Sequence, residues 1–172
     1  MNKQKITTFL WYDKQAEEAM NFYVDVFNNA PYSNKNSKIN YIARYEKGIE
    51  APGAAEMEGK VITAEFELNG QKFMCLDGGP LFKFSESVSL HVETKDQKET
   101  DYFWNKFTAD GGEESQCGWL KDKYGLSWQI TPSRLMELIS DKDKEKSHRV
   151  ANAMLQMKKI IVGDLEKAGE SR

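Results

Sequence analysis

Histidine and cysteine are scarce in this chain, with two of each among 172 residues. The cysteines, Cys75 and Cys117, fit no zinc or redox spacing, and two thiols cannot build a disulfide framework. Free thiols in a reducing cytoplasm are therefore expected. Any metal centre has only His91 and His148 to draw on for imidazole. No apolar run approaches the ~18 residues that a membrane span requires, and no secretory leader pattern follows Met1. Charge of one sign is not in excess either. Lys and Arg number 24 against 27 Asp and Glu, for a net charge of −3. That balance argues against a nucleic-acid partner, as the missing apolar run does against a membrane. The one basic tract, Lys142 to Lys159, is diluted by Asp143 and Glu145 and reads as a solvated helix face.

Aromatic residues, by contrast, are abundant: nine Phe, seven Tyr and four Trp. They fill a core, line an apolar pocket, or do both. Their order along the chain is more telling, because it recurs. Phe9-Leu10-Trp11-Tyr12-Asp13 precedes a helical stretch with Phe22, Tyr23 and Phe27. Ser89-Leu90-His91-Val92-Glu93 precedes another with Phe103, Trp104 and Phe107, about 80 residues on. Two copies are too few for a solenoid and fit a duplicated module whose halves enclose a cavity.

Each copy reads as strand, helix, then two or three strands. Ile6 to Tyr12 is strand-like. Ala16, Ala19, Met20, Tyr23, Val24 and Phe27 mark one helical face. Lys38 to Tyr45 and Lys60 to Leu68 alternate as strands, and Asn69-Gly70 signals a hairpin into Gln71 to Asp77. Gly48 to Gly59, which contains Pro52, reads as a loop, either a lid or a plain connection. In the second copy Glu86 to Glu93 is a strand and Gln97 to Ala109 a helix. A strand over Glu113 to Trp119 is expected to turn at Lys121 to Gly125 and return over Leu126 to Thr131. Residues 1–132 thus form one domain of two modules, 5–80 and 86–132. The remainder, 133–172, is a helical extension with no counterpart in the first copy. Its helices are expected from Pro132 to Ile139 and Asp141 to Lys159, with a last turn at Asp164 to Ala168. Their apolar face must pack on the body or on a partner subunit.

Several long motifs resemble one family. They are Thr7-Thr8-Phe9-Leu10-Trp11-Tyr12-Asp13, Ala16-Glu17-Glu18-Ala19-Met20-Asn21-Phe22-Tyr23, Gly70-Gln71-Lys72-Phe73, Gly78-Gly79-Pro80-Leu81-Phe82-Lys83-Phe84 and Cys117-Gly118-Trp119-Leu120-Lys121-Asp122-Lys123-Tyr124-Gly125-Leu126-Ser127-Trp128-Gln129. With Ala153 to Lys159 in the tail, they are similar to the PhnB-like family of the glyoxalase/bleomycin-resistance (vicinal oxygen chelate) superfamily. That resemblance implies an α+β fold of duplicated βαβββ modules forming a half-open barrel around a small-molecule cavity, commonly in a homodimer. The family often carries the label 3-demethylubiquinone methyltransferase. The usual S-adenosylmethionine site needs a glycine-rich turn after the first strand of a parallel sheet. Here that strand runs into Asp13-Lys14-Gln15, and Gly78-Gly79 follows a hairpin instead.

Metal enzymes of the superfamily take one ligand from the first and last strand of each module. By that resemblance the positions fall on Thr8, on Met74 or Cys75, on Ser87 or Ser89 with His91 nearby, and on Gln129. A metal-free cavity and no cofactor are expected, since a catalytic zinc normally has three protein ligands. The alternative is a divalent metal held by His91, Gln129 and Cys75. Phe9, Trp11, Met74, Ser89, His91, Trp119, Trp128 and Gln129 are the candidate cavity residues, with His91 the candidate acid/base. In this alignment Trp11 stands opposite His91 in the other copy, and Met74 opposite Gln129. Glu65 and Glu67 share a strand face and are either a carboxylate pair or solvated. His148 is expected at the surface.

Overall fold

The computed structural model describes residues 4–50 and 53–170. The chain divides into two compact units, Met1–Lys83 and Phe84–Arg172. In the first, β1 (Thr8–Tyr12) leads to α1 (Ala16–Asn28), then β2 (Lys38–Arg44), β3 (Val61–Leu68) and β4 (Gln71–Asp77). The sheet order is β1-β4-β3-β2, with β1 parallel to β4 and the other pairs antiparallel. Asn69-Gly70 closes the β3–β4 hairpin, with Leu68 paired to Gln71.

Strand alternation sends Leu10, Tyr12, Ala64, Phe66, Phe73 and Cys75 to the face that α1 covers with Ala16, Ala19, Met20, Tyr23 and Val26. Val26 is buried where the helical spacing had favoured Val24 and Phe27, which are half-buried. The N-terminus of α1 has no side-chain cap of its own. The buried Asp77, at the end of β4, serves it instead: one carboxylate oxygen accepts from Ala16 N (2.8 Å), the other from Val61 N (2.9 Å). In the expected loop, Ala54–Met57 form a short 3-10 turn that buries Ala54 and Met57. Pro52 lies outside the described residues.

The second unit repeats the plan with β5 (Leu90–Thr94), α2 (Gln97–Thr108), β6 (Glu113–Glu114), β7 (Trp119–Lys121) and β8 (Ser127–Pro132). Its order, β5-β8-β7-β6, matches the first sheet. Asp96 caps α2 by accepting from Glu99 N. The strand expected from Glu86 begins only at Leu90. The strand expected over Glu113 to Trp119 is broken by a turn at 115–118, where Cys117 and Gly118 both have positive φ (57° and 84°). A Cβ on Gly118 would stand 2.8 Å from the Ile130 carbonyl, so glycine is needed there for space as well as conformation.

That turn points its amides at the tail. Cys117 N and Gly118 N donate to the carbonyls of Met157 and Lys158, both at 2.7 Å. The tail forms α3 (Ser133–Ile139), α4 (Lys144–Leu155) and α5 (Val162–Glu170) around Leu135, Leu138, Val150, Ile160 and Leu165. The long helix expected through Lys159 stops at Leu155, and the carbonyls of residues 157 and 158 accept instead from the turn at Cys117-Gly118. Gln97 adds a second tie, donating to Ile160 O and accepting from Val162 N. The extension packs on the second module of its own chain.

Pairing also corrects the alignment of the copies. Met74 and Gln129 occupy the same place in β4 and β8. Met74 pairs with Phe9, and Gln129 with His91. His91 therefore corresponds to Phe9, and Trp11 to Glu93. The two-residue slip preserves strand parity, so both alignments agree on which face each residue occupies.

Candidate functional site

Each sheet has one face away from its helix, and most candidate residues lie there. In the first unit that face carries Phe9 and Trp11 from β1, Met74 and Leu76 from β4, and Thr63, Glu65 and Glu67 from β3. Trp11 is fixed from three sides. Its Nε1–H donates to Gly79 O at 2.9 Å. The Phe82 ring meets it edge-on, with centroids 5.0 Å apart. The indole also lies on Gly78, where a Cβ would come within 2.2 Å of the ring. Gly78-Gly79-Pro80-Leu81-Phe82 is thus a cradle for Trp11 and is spoken for by that contact. Phe9 beside it is 48% exposed. Toward the β2 edge the face turns polar. Asn40 Nδ2 donates to Glu65 (2.8 Å) and Glu67 (2.9 Å), and Lys72 pairs with Glu65 at 3.0 Å. Glu65 and Glu67 are a partnered surface network.

In the second unit the corresponding face holds the row His91–Gln129–Trp119 across β5, β8 and β7. Gln129 Nε2 donates to Ser89 Oγ at 2.8 Å, so the amide is oriented by a neighbour that is itself a candidate. His91 is exposed and Trp119 half-buried. His148 is exposed, as expected.

Two candidates are elsewhere. Trp128 points to the helix side, 1% exposed and stacked on Phe107 with centroids 4.4 Å apart. Its Nε1–H donates to the buried Asp122, so it is a core residue rather than a cavity wall. The sequence placed both Trp119 and Trp128 in the cavity. Register separates them, because Trp119 pairs with Gln129 while Trp128 pairs with Leu120. Cys75 also faces its helix and is wholly buried. Burial, reinforced by the charge of Asp77, pushes its thiol up to about 12. A metal would need the thiolate, at a position with an open approach, and Cys75 offers neither. The proposed third ligand thus does not fit, and His91 with Gln129 leaves a metal two donors. Among the described residues no group of three or more His, Cys, Asp or Glu is placed to hold a metal ion.

Both thiols are free. In native protein Cys117 is expected to react with an aromatic disulfide reagent while Cys75 stays protected. Denaturant should expose the second thiol, as counted by the absorbance of the released thiolate.

A feature that sequence reasoning missed lies beside Trp119. A hollow of about 190 Å³ is bounded by Glu86, Glu113, Glu114, Ser115, Trp119, Leu120, Lys121 and Ser127. Lys121 Nζ pairs with Glu86 at 2.5 Å and lies 3.8 Å from Glu113. The hydrogen bond from Lys121 holds the Glu86 carboxyl below the usual carboxylate range. Ser127 Oγ is the one buried side-chain polar atom without a hydrogen-bond partner among the described residues. Such an orphan costs about 1–3 kcal/mol. No motif spacing announces this group, since Glu86 and Ser127 meet only through the fold.

The profile of the family described as 3-demethylubiquinone-9 3-methyltransferase matches residues 4–131. The chain belongs to that family. A PhnB protein from Bacillus cereus, described as a 3-demethylubiquinone-9 3-methyltransferase, has a solved structure with 40% sequence identity and a TM-score of 0.64. The match covers 76% of this chain and all of that one (100%). The crystal structure of protein PA1353 from Pseudomonas aeruginosa shares the fold, with a TM-score of 0.60 at 15% identity, over 76% of this chain and 98% of that one. No curated protein matches the chain. These PhnB-like relatives place the fold in the glyoxalase-like superfamily, as the sequence motifs implied. The family match ends just before the tail, so α3 to α5 lie outside it. No helix among the described residues is long and apolar enough to cross a membrane.

Proposed function

We propose that this PhnB-like protein binds a small, partly apolar molecule without a bound metal, using the sheet faces turned away from the helices. The observation that carries this reading is the immobilised indole of Trp11. A ring held by one hydrogen bond, one aromatic edge contact and a glycine bed gives a rigid apolar surface at little entropic cost. Phe9, Met74 and Leu76 extend it on the same face. The His91–Gln129 row is a second surface, with an oriented amide and an imidazole suited to hydrogen bonding or proton transfer.

The family label points to methyl transfer to a quinol-type substrate, and the residues favour binding over that chemistry. The turn after β1 has no glycine, and Gly78 is occupied by Trp11. A metal-dependent vicinal-oxygen-chelate reaction is the second reading, favoured by the direct pairing of His91 with Gln129.

Tryptophan fluorescence titrations with small phenols and quinones distinguish these readings. Saturable binding is expected, weakened about tenfold or more by Trp11→Ala, as befits loss of a central aromatic contact. Titration with S-adenosylmethionine should be flat. Elemental analysis of protein purified without chelator or added metal should find far less than one divalent ion per chain. Stoichiometric metal that disappears in His91→Ala would establish the second reading instead.

A further inference from the structure

The hollow beside Trp119 has a character of its own. Its Ser127 is 1% exposed, and the hydroxyl has no hydrogen-bond partner among the described residues. Ser127 pairs with Lys121 across β7 and β8, on the same face as Gln129 and Trp119. A volume near 190 Å³ is roughly six water volumes, room for a small organic group.

Three carboxylates stand at its edge, and they are not equally engaged. Glu86 is tightly paired with Lys121. Glu114 accepts from Trp104 Nε1 at 2.9 Å and lies 3.5 Å from Lys158. Among the described residues, Glu113 has only the 3.8 Å approach of Lys121 as a charge partner. An anionic guest would have to enter past all three. A cation meets countercharge at Glu113, an acceptor at Ser127 Oγ and an aromatic wall at Trp119, the side-chain type that attracts organic cations most strongly.

We infer that this hollow binds a primary alkylammonium group, with Ser127 Oγ accepting an N–H and Glu113 supplying the countercharge. The site goes beyond the Trp11 shelf and does not depend on it.

Calorimetric titration of the full chain with butylammonium chloride at low ionic strength tests the inference. Saturable binding is expected, with tetramethylammonium, which has no N–H to donate, about tenfold weaker. Sodium butyrate should give no binding heat. Ser127→Ala should lower butylammonium affinity about tenfold and leave the thermal midpoint unchanged or higher, because it removes an orphaned polar atom. Glu113→Gln should weaken binding and flatten its salt dependence. Trp11→Ala should leave butylammonium binding intact, which separates this site from the shelf. Absence of butylammonium binding, preference for butyrate, or unaltered affinity in Ser127→Ala would overturn the inference. So would a lowered thermal midpoint in Ser127→Ala, since it would mean that the hydroxyl serves the fold.

Discussion

Replacing Asp122 with alanine is expected to destabilise the protein by about 3–5 kcal/mol, the larger of two carboxylate effects in this fold. Asp122 is 2% exposed and gathers three donors. Oδ1 accepts from Tyr124 N (2.9 Å) and Leu126 N (3.1 Å), while Oδ2 accepts from the Trp128 indole (2.8 Å). Alanine would leave these donors without their acceptor and open space beside the largest stacked pair of the second unit. Asp122→Asn keeps one oxygen for either the turn or the indole and turns an amide N–H₂ toward the other. Its loss should be intermediate. Urea denaturation followed by tryptophan fluorescence measures both, read as a lower midpoint at unchanged slope. An Asp122→Ala midpoint within error of the parent would show that the turn holds itself together without the carboxylate.

Asp77→Ala is expected to cost about 2–4 kcal/mol, since two buried amides lose a charged acceptor. The carboxylate joins α1 to β3 through Ala16 N and Val61 N, elements far apart in sequence. Without it the first turn of α1 has neither a side-chain cap nor a substitute. Hydrogen exchange should report the damage locally, with faster exchange at Ala16 and Val61 than in the parent. Slow exchange at both amides in the variant would mean that another acceptor takes over.

The two carboxylates are not copies of each other. Asp77 matches Pro132 in the second module, and α2 relies on its neighbour Asp96 for a cap. Asp122 has Leu68 at the equivalent place in the first module, at a tight hairpin that needs no organising side chain. The two modules share a strand order but not their polar locks, because each closes its own loops with whatever donors those loops expose.

The same contrast separates what was legible in the sequence from what was not. The βαβββ order, the hairpin at Asn69-Gly70, the helical faces and the exposure of His148 follow from spacing and turn chemistry, which act within a few residues. The motifs around Trp11 and Trp128 were visible as patterns, but their meaning was not. Gly78-Gly79 is a bed for an indole that lies far away along the chain. Trp119 and Trp128 part company because a five-residue connection sets the β7–β8 register, and register alone decides which face a strand residue takes.

By itself, then, the sequence determined the modules, their repetition and their family, because alternation, helical period and turn residues are local and strong. Only the tertiary structure decided that Trp128 is core while Trp119 lies half-buried on the opposite sheet face, that Cys75 is sealed behind α1, and that His91 corresponds to Phe9. It also decided that the tail is tied to the turn at Cys117-Gly118 and that Ser127 shares a hollow with Glu86, Glu113 and Lys121. Each of those outcomes depends on pairing between segments distant in the chain, and no local signal carries that information.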